Sequence, residues 1–393
     1  MLYVIAPFIF LLLFLGIREK KRHQRNINAL PIRVNINGIR GKSTVTRLIT
    51  GIISEAGYKT VGKTTGTQAR MLYWFDQKEE PIKRRIEGPN IREQMTVVKK
   101  AVEYKADALV SECMAVNPDY QVVFQNEMLQ ANIGIIVNVL EDHMDVMGPT
   151  INEVAQSFIA TIPYNGHLII NESPFVAYYK KIAKERNTKV LVCDVTRIPE
   201  ELLLKFDYMV FPENAALALA VADVLGIEEE IAFKGMLNAY PDPGSMQVTS
   251  FGDMELPSYF INGFAANDAT STINIWERVQ KLGYPTEKPI IIMNCRADRV
   301  DRTEQFALDV LPYIPCKLLV VIGETTSPIA NNFHNGNIPA SEFLNLENEV
   351  TGVLMEKLKP YLSNTVIYGI GNIHGAAEPF VEQIEEMSIK GAN

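Results

Sequence analysis

Apolar runs of strand length alternate with helical patterns along most of this 393-residue chain, and that alternation constrains the fold more than any other feature. The first run, Ile32–Ile36, precedes a segment from Lys42 towards Ala56 whose apolar residues recur at helical spacing until Gly57. A regular succession of strands and helices is typical of a mostly parallel sheet covered by helices. The sequence therefore predicts an α/β fold.

Two domains are expected, because a chain of this length exceeds what one ordinary core requires. The stretch PDPGS at 241–245 is rich in turn residues and is a natural linker between them. Before it we predict strands at 108–110, 133–139, 167–170, 190–193 and 208–211, then a helix over 214–225. After it we predict strands at 259–261, 289–294, 318–322 and 366–368, with helices near 270–282, 303–311 and 346–359.

Composition and charge exclude some classes of function. Lys and Arg number 38 against 46 Asp and Glu, a net charge of −8. An acidic surface argues against a nucleic-acid partner, because phosphate neutralisation requires clustered cations. The four cysteines are far apart and form no C-x-x-C pair, so neither a zinc ribbon nor a disulfide framework is indicated, and reduced thiols fit best.

The first 17 residues differ in kind from the rest. They carry no charge and are followed at once by REKKRHQR, a pattern that predicts a membrane anchor with a basic flank and a cytoplasmic body. The segment is short for a span and contains Pro7. A buried helix and a cleaved signal peptide are the alternatives, although the basic start and cleavage site of a signal peptide are absent.

The segment VNINGIRGKST at 34–44 places a glycine-containing turn between the first strand and its helix. Backbone N–H groups of such a turn can surround phosphate oxygens, with Lys42 reaching the terminal phosphates and the Ser43 hydroxyl binding Mg²⁺. Ile36 stands where the common phosphate loop has its first glycine, and a turn without a ligand is the alternative. The predicted nucleotide-binding residues are Gly38, Arg40, Gly41, Lys42, Ser43 and Thr44.

Two segments with acidic residues follow apolar strands further along the chain. Glu112 follows the strand at 108–110, and His143, flanked by acids, follows the strand that begins at Ile133. Ligands collect at the carboxyl ends of strands in open α/β sheets, so we expect both segments beside the phosphate turn. A carboxylate oxygen suits Mg²⁺, whereas a histidine between acids is more often a hydrogen-bonded surface residue.

These three motifs resemble, in order, those of the Mur ligase superfamily: G-I-R-G-K-S-T, then S-E-C, then N-V-L-E-D-H-M-D. The resemblance implies ATP with Mg²⁺ or Mn²⁺ and a reaction through an acyl phosphate that releases ADP. It implies Ser43, Glu112 and His143 as metal ligands, and Lys42, Glu112 and His143 as catalytic residues. The helix N-A-A-L-A-L-A resembles the nucleotide-contacting helix of that family, with Asn214 as the contact.

The C-terminal half offers further candidates. The segment NGFAANDATST at 262–272 resembles a Mur segment that approaches the nucleotide, and Asp268 is either that contact or a helix cap. The arginine usual just before this domain in the Mur family is absent, since Ser245 and Met246 stand there.

A charge cluster follows the strand at 289–294, in NCRADRVDRT. Its arginines, Arg296, Arg299 and Arg302, suit bidentate binding of substrate carboxylates, and mutual salt bridges are the alternative. GETT at 323–326 and YGIGNIHGAAE at 368–378 follow later strands, and we expect their glycines to shape the same cleft. No role is assigned to His374.

From end to end the chain resembles the ligase subunit of poly-γ-glutamate synthases of Gram-positive bacteria. The phrases that carry this resemblance include RVNINGIRGKSTVTRL, VGKTTGT, VSECMAVNPDYQ, NVLEDHMDVMGPT, MNCRADRVDRT and YGIGNIHGAAEP. The resemblance implies an amide ligase that extends poly-γ-glutamate with glutamate, in a membrane complex with small partner subunits. A homo-oligomer is compatible with it, and the stereochemistry of the glutamate and the polymer length stay open.

On this interpretation residues 1–17 are a transmembrane anchor at the cell membrane and 18–31 a basic linker. Residues 32–244 form a Mur ligase-like P-loop ATPase domain, and 245–393 a smaller Rossmann-like domain. One alternative is a folylpolyglutamate synthase-like ligase, which has no use for the first 17 residues; another is a nucleotide-driven coupler of polymer export. A thioester on Cys113 is disfavoured, because a cysteine at a buried strand end is usually a small apolar residue.

Overall fold

The chain forms two compact units in a computed structural model that describes residues 2–65, 69–83, 90–206, 208–241, 246, 248–253, 255–266 and 268–388. Unit 1 comprises Met1–Lys205 and Val210–Pro243, and unit 2 comprises Phe206–Met209 and Gly244–Asn393. Most of the predicted linker, residues 242–245, lies outside the described residues, as does Asn267 of the Asn-Asp pair.

An eight-stranded sheet forms the centre of unit 1, in the order β4-β3-β2-β5-β1-β6-β7-β8. Its strands are β1 (Ile32–Asn37), β2 (Thr60–Lys63), β3 (Arg70–Tyr73), β4 (Asp76–Pro81), β5 (Ala108–Glu112), β6 (Ile133–Ile136), β7 (His167–Ile170) and β8 (Lys189–Val192). Strands β2, β5, β1, β6, β7 and β8 are parallel to one another. At one edge β3 pairs antiparallel with β2, and β4 pairs antiparallel with β3. The sheet is therefore mostly parallel.

Ten helices belong to the described part of unit 1. They are α1 (Leu2–Asn28), α2 (Lys42–Glu55), α3 (Glu93–Glu103), α4 (Pro118–Val123), α5 (Met144–Met147), α6 (Ile151–Ser157), α7 (Val176–Glu185), α8 (Glu200–Leu203), α9 (Pro212–Leu225) and α10 (Glu229–Leu237). Helix α2 buries Val45, Leu48, Ile49 and Ile52 on one face, because apolar residues at helical spacing share a face. Gly57, at φ 88°, follows the helix as predicted.

The expected membrane anchor is wrong. Residues 2–28 form α1, but across the residues that the structure describes no helix is both long and apolar enough to cross a membrane. The apolar run ends at Ile17, and Arg18 begins a charged stretch within the same helix, whereas a span needs about 20 apolar residues. The residues expected to be a basic linker are largely helical, and Ile27 is buried in the core of unit 1.

The described residues of unit 2 form a six-stranded sheet in the order β13-β12-β11-β14-β10-β9, in which β9 pairs antiparallel with β10 and the other pairs are parallel. Its strands are β9 (Val248–Gly252), β10 (Pro257–Asn262), β11 (Ile290–Cys295), β12 (Cys316–Gly323), β13 (Ala340–Glu347) and β14 (Val366–Gly371). Its helices are α11 (Ala269–Lys281), α12 (Val300–Asp309), α13 (Ser327–His334), α14 (Thr351–Leu358) and α15 (Ala377–Glu386). Phe260, Phe264 and Phe380 anchor its apolar core.

Strand register in unit 1 determines which side chains meet at the edge of the sheet. Strand β1 lies in the middle, where Ile36 pairs with Glu112 of β5 and Asn37 pairs with Ile136 of β6. Because the three strands are parallel, their carboxyl ends meet at one edge. The predicted strand at 208–211 is wrong, since the described residues there belong to neither sheet and Phe211 caps α9.

Helices α2 and α10 cross so closely that two glycines are required. A Cβ on Gly51 would lie 2.2 Å from the carbonyl oxygen of Gly235, and a Cβ on Gly235 would lie 2.6 Å from the Cα of Ile52. Both distances are shorter than van der Waals contact, so a side chain at either glycine forces the helices apart.

We therefore expect Gly235→Val to lower the free energy of unfolding by about 2 kcal/mol or more, because overpacking displaces α10 from α2. Gly352→Ala in α14 is the matched control, since a Cβ there meets nothing within 4 Å and alanine suits a helix better than glycine. Denaturant unfolding measures both. A valine variant as stable as the wild type contradicts the close crossing.

Candidate functional site

The turn between β1 and α2 needs glycine at two positions. Gly38 has φ 127° and Gly41 has φ 81°, in the left-handed region that other residues rarely adopt. A Cβ on Gly38 would lie 3.0 Å from the backbone nitrogen of Asn138, and one on Gly41 would lie 2.9 Å from Oδ1 of Asn214. Asn214, buried at the start of α9, thus lies against the turn. Neighbouring segments approach the turn closely.

Asn138, just beyond β6, holds this turn in place. Its Oδ1 accepts hydrogen bonds from the N–H groups of Ile39 (3.1 Å) and Arg40 (3.0 Å), and its Nδ2 donates to the carbonyl of Arg40 (3.1 Å). Sequence reasoning assigned Asn138 no such role. Its position after the strand next to β1 is the signal that pointed to it.

Lys42, the first residue of α2, folds back over the turn. Its Nζ donates hydrogen bonds to the carbonyls of Gly38 (2.7 Å) and Ile39 (2.9 Å). Burial lowers the pKa of Lys42, while the negative charge of Glu112 acts in the opposite direction. The ammonium group therefore lies against the carbonyl oxygens of the turn.

Glu112, at the end of β5, is buried with a relative exposure of 3% and is held by hydrogen bonds to both carboxylate oxygens. Ser43 Oγ donates to Oε2 (2.9 Å), the Thr65 N–H donates to Oε2 (2.8 Å), and Thr65 Oγ1 donates to Oε1 (2.5 Å). Sequence reasoning missed Thr65. It follows β2, the strand next to β5, so its place at the same sheet edge was the available signal.

A second buried cation lies near this carboxylate. Lys63, at the end of β2, is fully buried and pairs with Glu93 of α3 at 3.4 Å. Burial lowers the pKa of Lys63, and the charges of Glu93 and Glu112 oppose that shift. The negative charge of Glu112 therefore acts on both Lys42 and Lys63.

His143 lies on a short left-handed turn before α5, at φ 51°. Its side chain is 53% exposed, its backbone N–H donates to Asp142 Oδ1 (2.8 Å), and Nε2 lies 3.9 Å from the same oxygen. Asp142 also pairs with Arg40 of the phosphate turn at 3.1 Å. The segment is thus tied to the turn, although within the described ranges no group of three His, Cys, Asp or Glu side chains could hold a metal ion.

A cavity of about 580 Å³ lies beside α2, away from the turn. Arg47 forms part of its wall, is buried, and donates through both terminal nitrogens to the carboxylate of Glu79 and through Nη1 to the carbonyl of Tyr240. The residues that line this cavity include none of the turn residues 38–44. It is therefore distinct from the nucleotide-site candidates.

The candidates in unit 2 occupy separate positions. Asp268 caps α11, where its Oδ1 accepts the N–H of Ser271 at 2.8 Å, which is the capping alternative. Arg296 forms a bidentate pair with Asp298, with both distances 2.8 Å. Arg302 Nη1 donates to Asn372 Oδ1 (2.7 Å). Arg299 is exposed.

Two glycines of unit 2 approach one buried residue, Asn294. A Cβ on Gly323 would lie 2.7 Å from Oδ1 of Asn294, and a Cβ on Gly371 would lie 2.5 Å from its carbonyl oxygen. Asn294 itself is completely buried at the end of β11. The ends of β11, β12 and β14 therefore converge on Asn294.

Comparisons with known proteins agree with this architecture. Residues 36–240 match the Mur ligase middle domain, and residues 248–387 match the poly-γ-glutamate synthase CapB C-terminal domain. A folylpolyglutamate synthase/dihydrofolate synthase from Yersinia pestis, solved with AMPPNP and a manganese ion, aligns with a TM-score of 0.65 at 13% identity over 93% of this chain and 92% of its own. The predicted Mur ligase-like α/β fold with mostly parallel sheets is thus confirmed.

Two relatives are much more similar in sequence. The capsule biosynthesis protein CapB of Bacillus anthracis is 62% identical over 99% of this chain and 84% of its own length. The PGA synthase CapB of Bacillus subtilis strain 168 is 64% identical over 96% of each. Identity at this level over nearly the whole chain confirms the resemblance found in the sequence. The chain belongs to the poly-γ-glutamate synthase CapB family of the Mur ligase superfamily.

Proposed function

We propose that this chain is an ATP-dependent amide ligase that extends poly-γ-glutamate in capsule synthesis. The observation that carries the proposal is the contact between Ser43 Oγ and Glu112 Oε2, 2.9 Å long, at the start of α2. It places two oxygen ligands beside the glycine turn of a chain in the CapB family. The polymer follows from the names of the relatives, and the ADP-forming ligase chemistry follows from the Mur ligase domain.

The turn fits the phosphates of a nucleotide. Gly38 and Gly41 have positive φ and no Cβ beside the turn, and the first turn of α2 leaves backbone N–H groups without intrahelical partners that can receive phosphate oxygens. We assign the phosphates to Gly38, Arg40, Gly41, Lys42, Ser43 and Thr44. We also assign Asn214, which lies against Gly41, as a nucleotide contact in unit 1. The position of Asp268 is already explained by its role as the N-cap of α11.

The oxygen atoms of Glu112 and Ser43 near the turn also fit a divalent cation. The aligned structure from Yersinia pestis contains a manganese ion. Mg²⁺ prefers oxygen ligands, keeps several waters and takes one or two protein ligands plus phosphate oxygens. Glu112 and Ser43 would supply those ligands, and His143 is the third one predicted. Such an ion neutralises negative charge on the phosphoryl group.

The chain's own residues then carry a two-step reaction. A terminal carboxylate of the glutamyl chain takes the γ-phosphoryl group of ATP, giving an acyl phosphate and ADP, while Lys42 offsets the charge on the transferring group. The amine nitrogen of glutamate attacks the acyl carbon, and the bond from that carbon to the phosphate oxygen breaks. We assign the glutamyl carboxylates to Arg296, Arg299 and Arg302, of which Arg296 pairs with Asp298 and Arg302 with Asn372 in the absence of substrate.

Two other functions are the alternatives to this one. The first 17 residues no longer separate the chain from a folylpolyglutamate synthase, because the described helices contain no membrane span. The CapB C-terminal domain now separates them instead. A nucleotide-driven coupler would hydrolyse ATP without glutamate. The partner subunits of a synthase complex stay a prediction from the resemblance.

Product analysis with Mg·ATP, with and without glutamate and polymer, tests the proposal. We expect glutamate-dependent ADP and phosphate, and we expect Lys42→Ala to reduce turnover at least 100-fold because it removes the cation of the turn. Lys180→Ala, an exposed lysine on α7, is the matched control. AMP and pyrophosphate as products, or ADP release indifferent to glutamate, would sink the ligase mechanism.

Thr65→Val should raise the Mg²⁺ concentration needed for half-maximal activity roughly 10-fold, because groups that orient a metal ligand contribute about this much affinity. The change removes the hydroxyl that donates to Glu112 Oε1 and keeps the backbone bond to Oε2. Thr65→Ser, which retains the hydroxyl, should behave like the wild type. An unchanged Mg²⁺ dependence in the valine variant contradicts this role.

Cys113→Ala should retain ligation. Burial raises the pKa of the Cys113 thiol to about 11, so the thiol stays protonated at neutral pH and becomes a nucleophilic thiolate only as the pH approaches that value. Cys193→Ala, whose thiol also has a pKa raised by burial, is the control. Loss of ligation with normal ADP formation in Cys113→Ala alone would revive the thioester.

A further inference from the structure

Helix α2 presents a second face to the cavity of about 580 Å³ beside it, which we call the α2 cavity. Five residues of the helix line this cavity at the spacing that places side chains on one helix face: Arg47, Thr50, Gly51, Ser54 and Glu55. The other walls are residues 72–76 and 78–79 of the β3–β4 hairpin and residues 238–240 after α10. All of these residues belong to unit 1. The α2 cavity therefore lies within a single unit.

The hairpin gives the α2 cavity an aromatic wall. Tyr73 and Phe75 stack with their ring centroids 5.3 Å apart, and Trp74 meets Phe75 edge-on at 4.7 Å. Tyr240 lines the cavity from the segment after α10 and is 40% exposed. Aromatic side chains pack well against flat rings, and they are common in the walls of small-molecule sites. This wall therefore favours a ligand with a planar ring.

The three least exposed charged side chains of the cavity wall already have partners within unit 1. Both terminal nitrogens of Arg47 donate to the carboxylate of Glu79. Glu55 pairs with Lys234 at 2.6 Å and accepts the side-chain amide of Asn238 at 2.9 Å. A charged ligand would have to displace one of these partners, and a buried charge without a partner is costly. An uncharged ligand is therefore favoured.

One polar group at the wall still needs an acceptor. Arg47 is only 1% exposed, and its Nε–H has no hydrogen-bond partner among the residues that the structure describes. The other nitrogens of the guanidinium are held by Glu79 and by the carbonyl of Tyr240. A buried donor without an acceptor is costly. Water would satisfy the N–H but leave the aromatic wall uncovered, whereas a flat ring with an acceptor oxygen would serve both.

We propose that the α2 cavity is a binding site for an uncharged, planar heteroaromatic molecule that carries a carbonyl oxygen. The ring packs against the aromatic side chains of the hairpin, and the carbonyl oxygen accepts the Nε–H of Arg47. The volume of the cavity falls within the range of small-molecule sites, about 300–1,000 Å³. Residues 38–44 do not line it. The site is therefore separate from the glycine turn, and the inference does not depend on the proposed ligase function.

Trp74 makes this binding measurable by fluorescence. The chain has two tryptophans, and the other, Trp276, is 3% exposed and stacks on Tyr368 in unit 2. Three probes that share one pyridine ring separate the ligand classes. Nicotinamide is uncharged and carries the carbonyl oxygen, nicotinate is an anion, and 3-picolylamine is a cation.

With the full-length protein we expect nicotinamide to change the emission of Trp74 saturably, with a Kd of about 1 mM, because so small a probe binds weakly. Nicotinate and 3-picolylamine should bind at least roughly 10-fold more weakly, because each brings a charge that the cavity does not balance. Saturating Mg·ADP should leave the binding of nicotinamide unchanged, since the nucleotide turn lies outside the cavity.

Arg47→Lys should weaken the binding of nicotinamide roughly 10-fold, because lysine keeps the positive charge but lacks the Nε–H. Arg197→Lys, an exposed arginine paired with Asp223, is the matched control and should bind like the wild type. Ser54→Leu fills the cavity from the α2 wall and leaves Arg47 in place, so it should abolish saturable binding. Circular dichroism shows whether each variant is folded.

A linear change in emission that does not saturate overturns the inference. Binding of nicotinate or 3-picolylamine as tightly as nicotinamide does so as well, and so does an unchanged affinity for nicotinamide in either folded variant, Arg47→Lys or Ser54→Leu. Loss of nicotinamide binding in Mg·ADP would assign the probe to the nucleotide turn, which also overturns the inference.

Discussion

The candidate site of unit 1 depends on the side chain of Asn138, to which we assign no part in the reaction itself. The Asn138 amide accepts the N–H groups of Ile39 and Arg40 and donates to the carbonyl of Arg40. These bonds join the carboxyl ends of β1 and β6 and hold the turn on which Lys42 and Ser43 are placed. A turn held this way fixes the positions of Lys42 and Ser43 before any phosphate arrives, so binding loses less conformational entropy.

Hydrogen bonds and nearby positive charges likewise hold the carboxylate of Glu112 in place. A buried carboxylate without partners would be costly, but Ser43 and Thr65 donate three hydrogen bonds to it. Lys42 and Lys63 add positive charge nearby, and Glu93 balances Lys63. The carboxylate is therefore satisfied without a cation and is already oriented for one.

The sequence alone predicts those helices and strands that carry a clear apolar periodicity of their own. Helix α2 and strands β1, β5 and β7 carry clear apolar periods, and the sequence placed them well. The polar edge strands β4 (DQKEEP) and β13 (ASEFLNLE) were missed, because edge strands carry charge and lack the apolar run of central ones. The apolar start of the chain, by contrast, led to the wrong prediction of a membrane anchor, because its charge-free run stops at Ile17 within a longer helix.

The residues of the candidate site fall into the same two groups, those that a local motif predicts and those that depend on which strands are neighbours. Lys42, Ser43 and Glu112 follow from a motif and its spacing, whereas Thr65 and Asn138 matter only because β2 lies beside β5 and β6 beside β1. No local pattern contains that neighbour relation. Likewise, the pairing of His374 with Glu378 depends on the turn at Gly375, and the sequence alone assigned His374 no role.

The order of strands in unit 1 also has a consequence for how the protein is made. Strand β1 leaves the ribosome early but lies in the middle of the sheet, paired with β5 and β6, which are translated much later. Until Glu112 has emerged, Val34 and Ile36 have no sheet partner on either side, and the side that faces β6 stays unpaired until Ile136 has followed. Such long-range parallel pairing forms slowly and exposes apolar strand edges in the meantime. The nascent chain of unit 1 therefore exposes apolar strand edges until these pairings form.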